Sequence, residues 1–107
     1  MSAVTFHPVA KVSEVEQGEV RRVSVGEREI ALYNLDGQYY ATDDTCSHAQ
    51  ASLSDGFIDG GEVECPLHGA RFVIQSGEVA GPPAEEPIAT YPTRVQGDTV
   101  YVGLPSA

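Results

Sequence analysis

The sequence predicts an all-β fold, a small antiparallel sandwich or barrel. Three observations predict it. Short segments alternate apolar and polar residues, turn residues recur between them, and Asp36-Gly37 sits between two such segments as a strong hairpin signal. The first segment, VTFHPV (4–9), alternates weakly, and Pro8 marks it as an edge strand because proline cannot donate to a ladder. KVSEVEQG (11–18) has some helical character but is too short for more than a turn. EVRRVSV (19–25) places Val20, Val23 and Val25 among polar residues, and Gly26-Glu27 turns the chain into REIALYNL (28–35). There Ile30, Leu32 and Asn34 share one face, and Ala31, Tyr33 and Leu35 the other. NLDGQYYAT continues the hairpin past Asp36-Gly37. Near the end, IATYPTRV (88–95) and TVYVGL (99–104) flank QGD (96–98) as a second hairpin. No repeat, linker or low-complexity segment interrupts the 107 residues, which read as one domain, 1–107.

Composition excludes several function classes. A chain of this length buries about two-thirds of its unfolded surface and folds without staples. With 16 acidic and 6 basic residues its formal charge is -10. Nucleic acid and anionic membrane surfaces both require the opposite sign. A basic patch on another protein fits that charge better. The N-terminus MSAVTFHPVAK has no basic region followed by an apolar stretch, and no segment approaches the roughly eighteen apolar residues of a membrane span. The expected location is the cytoplasm, where thiols stay reduced and cysteines in a patterned context are more often metal ligands or catalytic than disulfides.

Between the outer strands, residues of about 43–87 have a different character. The chain has two cysteines and three histidines. Each cysteine has a histidine within three residues: CSHAQ (46–50) holds Cys46 and His48, and CPLHGARF (65–72) holds Cys65 and His68. TDDTCSHAQ reads as a strand running into a loop, and EVECPLHGARFVI (62–74) as strand, tight turn and strand. GPPAEEP (81–87) is a third, proline-stiffened loop. Cys46, His48, Cys65 and His68 are therefore candidate metal ligands on two loops. Sixteen residues separate His48 from Cys65. Zinc accepts Cys₂His₂ tetrahedrally, but its common finger order places both cysteines on one knuckle and both histidines on a helix. Here each loop mixes the two chemistries. That suits a binuclear cluster to which each loop gives its cysteine at one iron and its histidine at the other, the ligand set of a Rieske [2Fe–2S] centre.

CSH, CPLHGARF and the following QSGEVAGPP resemble the Rieske-type ferredoxins, in particular those of biphenyl- and naphthalene-type dioxygenase systems, and the likeness extends over nearly the whole chain. The resemblance implies stacked antiparallel sheets with the cluster held by two loops at one tip. It implies that Cys46 and Cys65 bind the inner iron, that His48 and His68 bind the outer iron through Nδ1, and that Gly81-Pro82-Pro83 match the loop covering the cluster. Rieske proteins of quinol-oxidising complexes have two further cysteines and a serine after the second histidine. Ala51, Leu67 and Ala70 stand here instead, which implies a low potential, roughly -150 mV.

An oxygenase needs a second iron site with two histidines and a carboxylate. Only His7 remains, in a first strand where a packing or surface role is expected. The resemblance thus implies a carrier and not an enzyme, with no direct small-molecule substrate. It would take electrons from an NADH-dependent flavin-containing ferredoxin reductase and pass them to the terminal oxygenase of an aromatic-ring dioxygenase. The small Rieske subunit of an assimilatory nitrite reductase, or a ferredoxin of another oxygenase, is the second reading. A zinc-stabilised interaction module is the reading from a different class.

Overall fold

The structure is a computed structural model and describes residues 4–45, 51–67, 69–82 and 86–105. Among the described residues eleven strands run in chain order: β1 (Val4–Lys11), β2 (Val20–Val25), β3 (Arg28–Leu35), β4 (Gln38–Asp43), β5 (Phe57–Asp59), β6 (Glu62–Glu64), β7 (Arg71–Val73), β8 (Val79–Gly81), β9 (Thr90–Tyr91), β10 (Thr93–Gln96) and β11 (Thr99–Pro105). They form three antiparallel sheets, ordered β1-β11-β10, β2-β3-β4-β9 and β5-β6-β7-β8. The all-β expectation holds. The helical character near residue 12 resolves as one 3₁₀ turn, Val12–Glu14.

The sheet containing β3 is the middle layer, because β3 is buried on both faces. Its Ile30 and Leu32 join a core with Val23, Val100, Val102 and Leu104, which faces the β1-β11-β10 sheet. Its Ala31 and Tyr33 join a second core with Val63, Cys65, Phe72 and Ile74, which faces the β5–β8 sheet. Period-two alternation therefore distributes β3 between two cores instead of between core and water. Asn34 shares the face of Ile30 and Leu32. It is buried, but its amide is used at both ends: Nδ2 donates to the Val15 carbonyl at 2.9 Å and Oδ1 accepts the Gly37 N–H at 2.9 Å. That second bond closes the hairpin turn. Asp36 and Gly37 there both have positive φ, 55° and 85°, as a type I′ connection needs.

Pro92 corrects the expectation of one strand over 88–95. The segment divides at the proline: β9 pairs with β4, and β10 pairs with β11 in a different sheet. Proline has no N–H for a ladder, so the chain changes sheets where the ladder must break. Its carbonyl accepts the Gly103 N–H at 2.8 Å. Gly103 permits this approach, because a Cβ there would lie 2.6 Å from Val4 Cγ1 and 2.9 Å from Pro92 Cγ. β1 is an edge strand, as Pro8 predicts, with a register shift between Pro8 and Ala10.

Candidate metal centre

Three loops leave the β5–β8 sheet at one end. The register pairs Phe57 with Glu64, Glu64 with Arg71, and Arg71 with Gly81. These four residues form the terminal rung. The segment bearing Cys46 and His48 arrives immediately before Phe57, the loop bearing Cys65 and His68 joins Glu64 to Arg71, and the proline loop begins after Gly81. Pairing of four consecutive strands thus brings the roots of the three loops to one end of the sheet.

The first loop is closed at its neck by hydrogen bonds. Thr45 and Ser52 form an isolated antiparallel bridge. One residue earlier, the Asp44 carbonyl accepts the Leu53 N–H at 2.7 Å, and the Asp44 side chain accepts the Ser54 N–H at 3.0 Å. Asp44 is only 2% exposed. The chain then makes a 3₁₀ turn, Leu53–Asp55, and reaches Gly56 against the Glu64 carbonyl oxygen. The necks of the two loops therefore touch. Leu53 and Ala51 from the first, with Cys65 and Ala70 from the second, pack into the same core as Phe72.

The second loop is a tight connection between β6 and β7. The Cys65 N–H donates to the Ala70 carbonyl at 2.7 Å across its neck. Gly69 has φ 74°, a conformation that ordinary side chains rarely adopt. Cys65 is 1% exposed whereas Leu67 is 44% exposed, so the loop rises from a buried sulfur to a surface tip. Below it Arg71 ties the sheet together: Nε donates to Glu62 at 2.8 Å, Nη1 to Glu64 at 3.1 Å and Nη2 to Asp59 at 2.9 Å. The guanidinium pKa rises above its ordinary value, first through the Glu62 hydrogen bond and then through Asp59. Behind the loops, the fully buried Tyr33 hydroxyl shares a 2.8 Å hydrogen bond with Thr42 Oγ1. Burial drives its pKa strongly upward.

Of the four candidate ligands, Cys65 lies among the described residues, buried at the base of its loop. Cys46, His48 and His68 lie outside the described residues, as do Ser47, Ala49, Gln50, Pro83 and Glu85. Among the described residues no three His, Cys, Asp or Glu side chains come together to hold a metal elsewhere. His7 sits in β1 opposite Val102, a strand position and not a part of this end of the sheet. The donor chemistry fits a [2Fe–2S] group. Cys65 places a soft sulfur donor at the base of one loop, and both loops are short, closed at the neck and rooted in one core. Sequence reading passed over Gly56 and Arg71, and it takes Asp44 as one of the surface acids that meet a partner, whereas the structure buries it. Asp44 is visible only as an acid beside the ligand segment, and nothing local marks its burial.

Two short loops, each with one cysteine and one histidine in the sequence, leave one rung of an all-β scaffold, and Cys65 is buried at the base of one of them. The chain belongs to the Rieske family: the model of the Rieske [2Fe-2S] domain matches residues 5–92. That membership implies one Rieske [2Fe–2S] cluster. The chain is 41% identical to the biphenyl dioxygenase ferredoxin subunit of Pseudomonas sp. (strain KKS102), over 97% of this chain and 96% of that protein. It is 43% identical to the ferredoxin component of the naphthalene 1,2-dioxygenase system of Pseudomonas aeruginosa, over 85% and 88%. Among solved structures, a chain in the complex of reduced oxygenase and oxidized ferredoxin in carbazole 1,9a-dioxygenase superposes with a TM-score of 0.86. It is 40% identical, with 91% of each chain covered.

Proposed function

We propose that this chain is a soluble, cytoplasmic one-electron carrier, the ferredoxin component of an aromatic-ring dioxygenase system. The observation that carries the reading is the 41–43% identity to two dioxygenase ferredoxins over most of both chains. It favours this role over that of a nitrite-reductase small subunit, and membership of the Rieske family displaces the zinc reading. The acceptor is a terminal oxygenase, a reading supported by the oxygenase–ferredoxin complex of the carbazole system, and the donor is an NADH-dependent flavin-containing ferredoxin reductase, inferred from the kind of system its relatives serve. All 107 residues act as one ferredoxin domain, with the cluster-binding part at about 43–87. No helix among the described residues is long and apolar enough to cross a membrane.

Cys46 and Cys65 would hold the inner iron, and His48 and His68 the outer. The bound group supplies reversible one-electron chemistry. The protein's part is to seat it: Cys65 brings a buried sulfur, Gly69 lets the chain turn before Ala70, and the Thr45–Ser52 bridge closes the other loop. Exposed Leu67 and Pro82 flank the tip with uncharged surface. A partner can approach such a surface without burying unpaired charge. The test is stopped-flow mixing of the dithionite-reduced protein with the oxygenase from its own gene neighbourhood. Bleached cluster absorption should return at a rate that rises with oxygenase concentration and falls with salt, because the acidic chain meets a basic acceptor. No transfer to that oxygenase would remove the assignment.

A further inference from the structure

Asp44 stands out among the acidic residues. It is 2% exposed, and it belongs to the largest fully buried side chains. Among the described residues no cation pairs with it. Arg22, which shares a cleft with it, lies 4.0 Å from Glu29 and donates to Ser52 Oγ at 3.4 Å. A buried carboxylate is tolerated where hydrogen bonds hold it, and Asp44 has one from the Ser54 N–H. Asp44 follows the end of β4 and makes three hydrogen bonds outside the ladders, one through its carbonyl from the Leu53 N–H at 2.7 Å. Its N–H donates to the Glu29 carbonyl at 3.2 Å, and its Oδ1 accepts the Ser54 N–H at 3.0 Å, joining both legs of the loop that begins at Thr45. The Tyr33 pKa is raised chiefly by burial, with Asp44 a lesser cause.

We infer that Asp44 is a positioning residue with a second, electrostatic role: it locks the Cys46–His48 loop by hydrogen bonding and lowers the potential of the group that loop holds. The inference rests on the proposed ligand set. A fixed negative charge in a poorly screened interior opposes the arrival of an electron nearby. Two substitutions separate the two roles. Asp44→Asn keeps an acceptor for the Ser54 N–H and removes the charge, whereas Asp44→Ala removes both.

The experiment is voltammetry at one pH, with EPR of the reduced protein, iron content and thermal unfolding, on the holoproteins. Asp44→Asn should keep a full complement of iron, a rhombic EPR signal like that of wild type and a similar unfolding temperature. Its midpoint potential should shift upward. Asp44→Ala should load less iron and unfold at lower temperature. An Asp44→Asn protein that keeps the wild-type potential overturns the electrostatic role. An Asp44→Ala protein with wild-type iron and unfolding overturns the lock. Wild-type protein with no Rieske signal would instead sink the ligand reading itself, a failure distinct from either.

Discussion

Replacing Gly56 by alanine strikes where the two ligand loops touch. Gly56 has φ -88° and ψ -160°, which alanine adopts without strain, so any cost comes from space and not from the backbone. The space is lacking: the new Cβ would lie 2.1 Å from the Glu64 carbonyl oxygen and 3.1 Å from the Leu53 carbonyl oxygen. Ordinary contact between such atoms is about 3.5 Å, so one backbone must retreat by more than about 1 Å. Glu64 cannot retreat alone, because it is paired with Phe57 on one side and Arg71 on the other. Overpacking of this kind costs about 1–3 kcal/mol, and the upper part of that range applies where the obstacle is main chain. At about 4–8 °C per kcal/mol for a domain of this size, the unfolding temperature should fall by roughly 10–20 °C. Gly61→Ala is the control. No heavy atom beyond its chain neighbours lies within 4 Å of its new Cβ, and its φ is outside the left-handed region. Circular dichroism melts of both holoproteins, with iron determined per chain, provide the comparison. The Gly56 variant should also load less iron, since both necks shift. If the two variants melt within about 2 °C of each other with equal iron, the contact between the necks does not support the site.

Alanine at Cys46, His48, Cys65 or His68 should abolish stable cluster assembly, read as iron and acid-labile sulfide; a full cluster in any one of these proteins would remove that residue from the site. With alanine at position 70, the potential should lie near the low end of the Rieske range, roughly -150 mV. It should stay nearly flat from pH 6 to 8 in voltammetry, and a strongly positive value or a steep slope would contradict the assignment. Tyr33 and Tyr91 should be the last of the five tyrosines to ionise in an ultraviolet titration. Burial raises both pKa values, and at Tyr91 the hydrogen bond to Asp43 adds to it. The sign follows: phenolate is disfavoured in the folded state, so stability is present below the unfolded pKa of about 10 and is lost as pH rises above it. Five tyrosines titrating together near that value with the fold intact would refute the burial argument.

Much of this protein is written locally. Asp36-Gly37 specifies its turn because only a few residue types accept positive φ at both positions. Cys46, His48, Cys65 and His68 are legible because two scarce ligand types recur together on two short segments, and the spacing of β3 is legible because side chains alternate along a strand. Tertiary structure decided the rest. Alternation in β3 cannot tell a water-facing side from a second core, and only the two covering sheets make Ile30 and Tyr33 equally buried. Pro92 reads as a blemish in one strand until two sheets compete for its neighbours. The rung Phe57–Glu64–Arg71–Gly81 exists only once pairing has brought four segments side by side. Asp44 and Gly56 take their meaning from atoms far away in the chain or beyond the local turn, the Glu29 and Glu64 carbonyls among them. Ligand type and turn chemistry are properties of a few consecutive residues, whereas burial and close approach are properties of the packed chain.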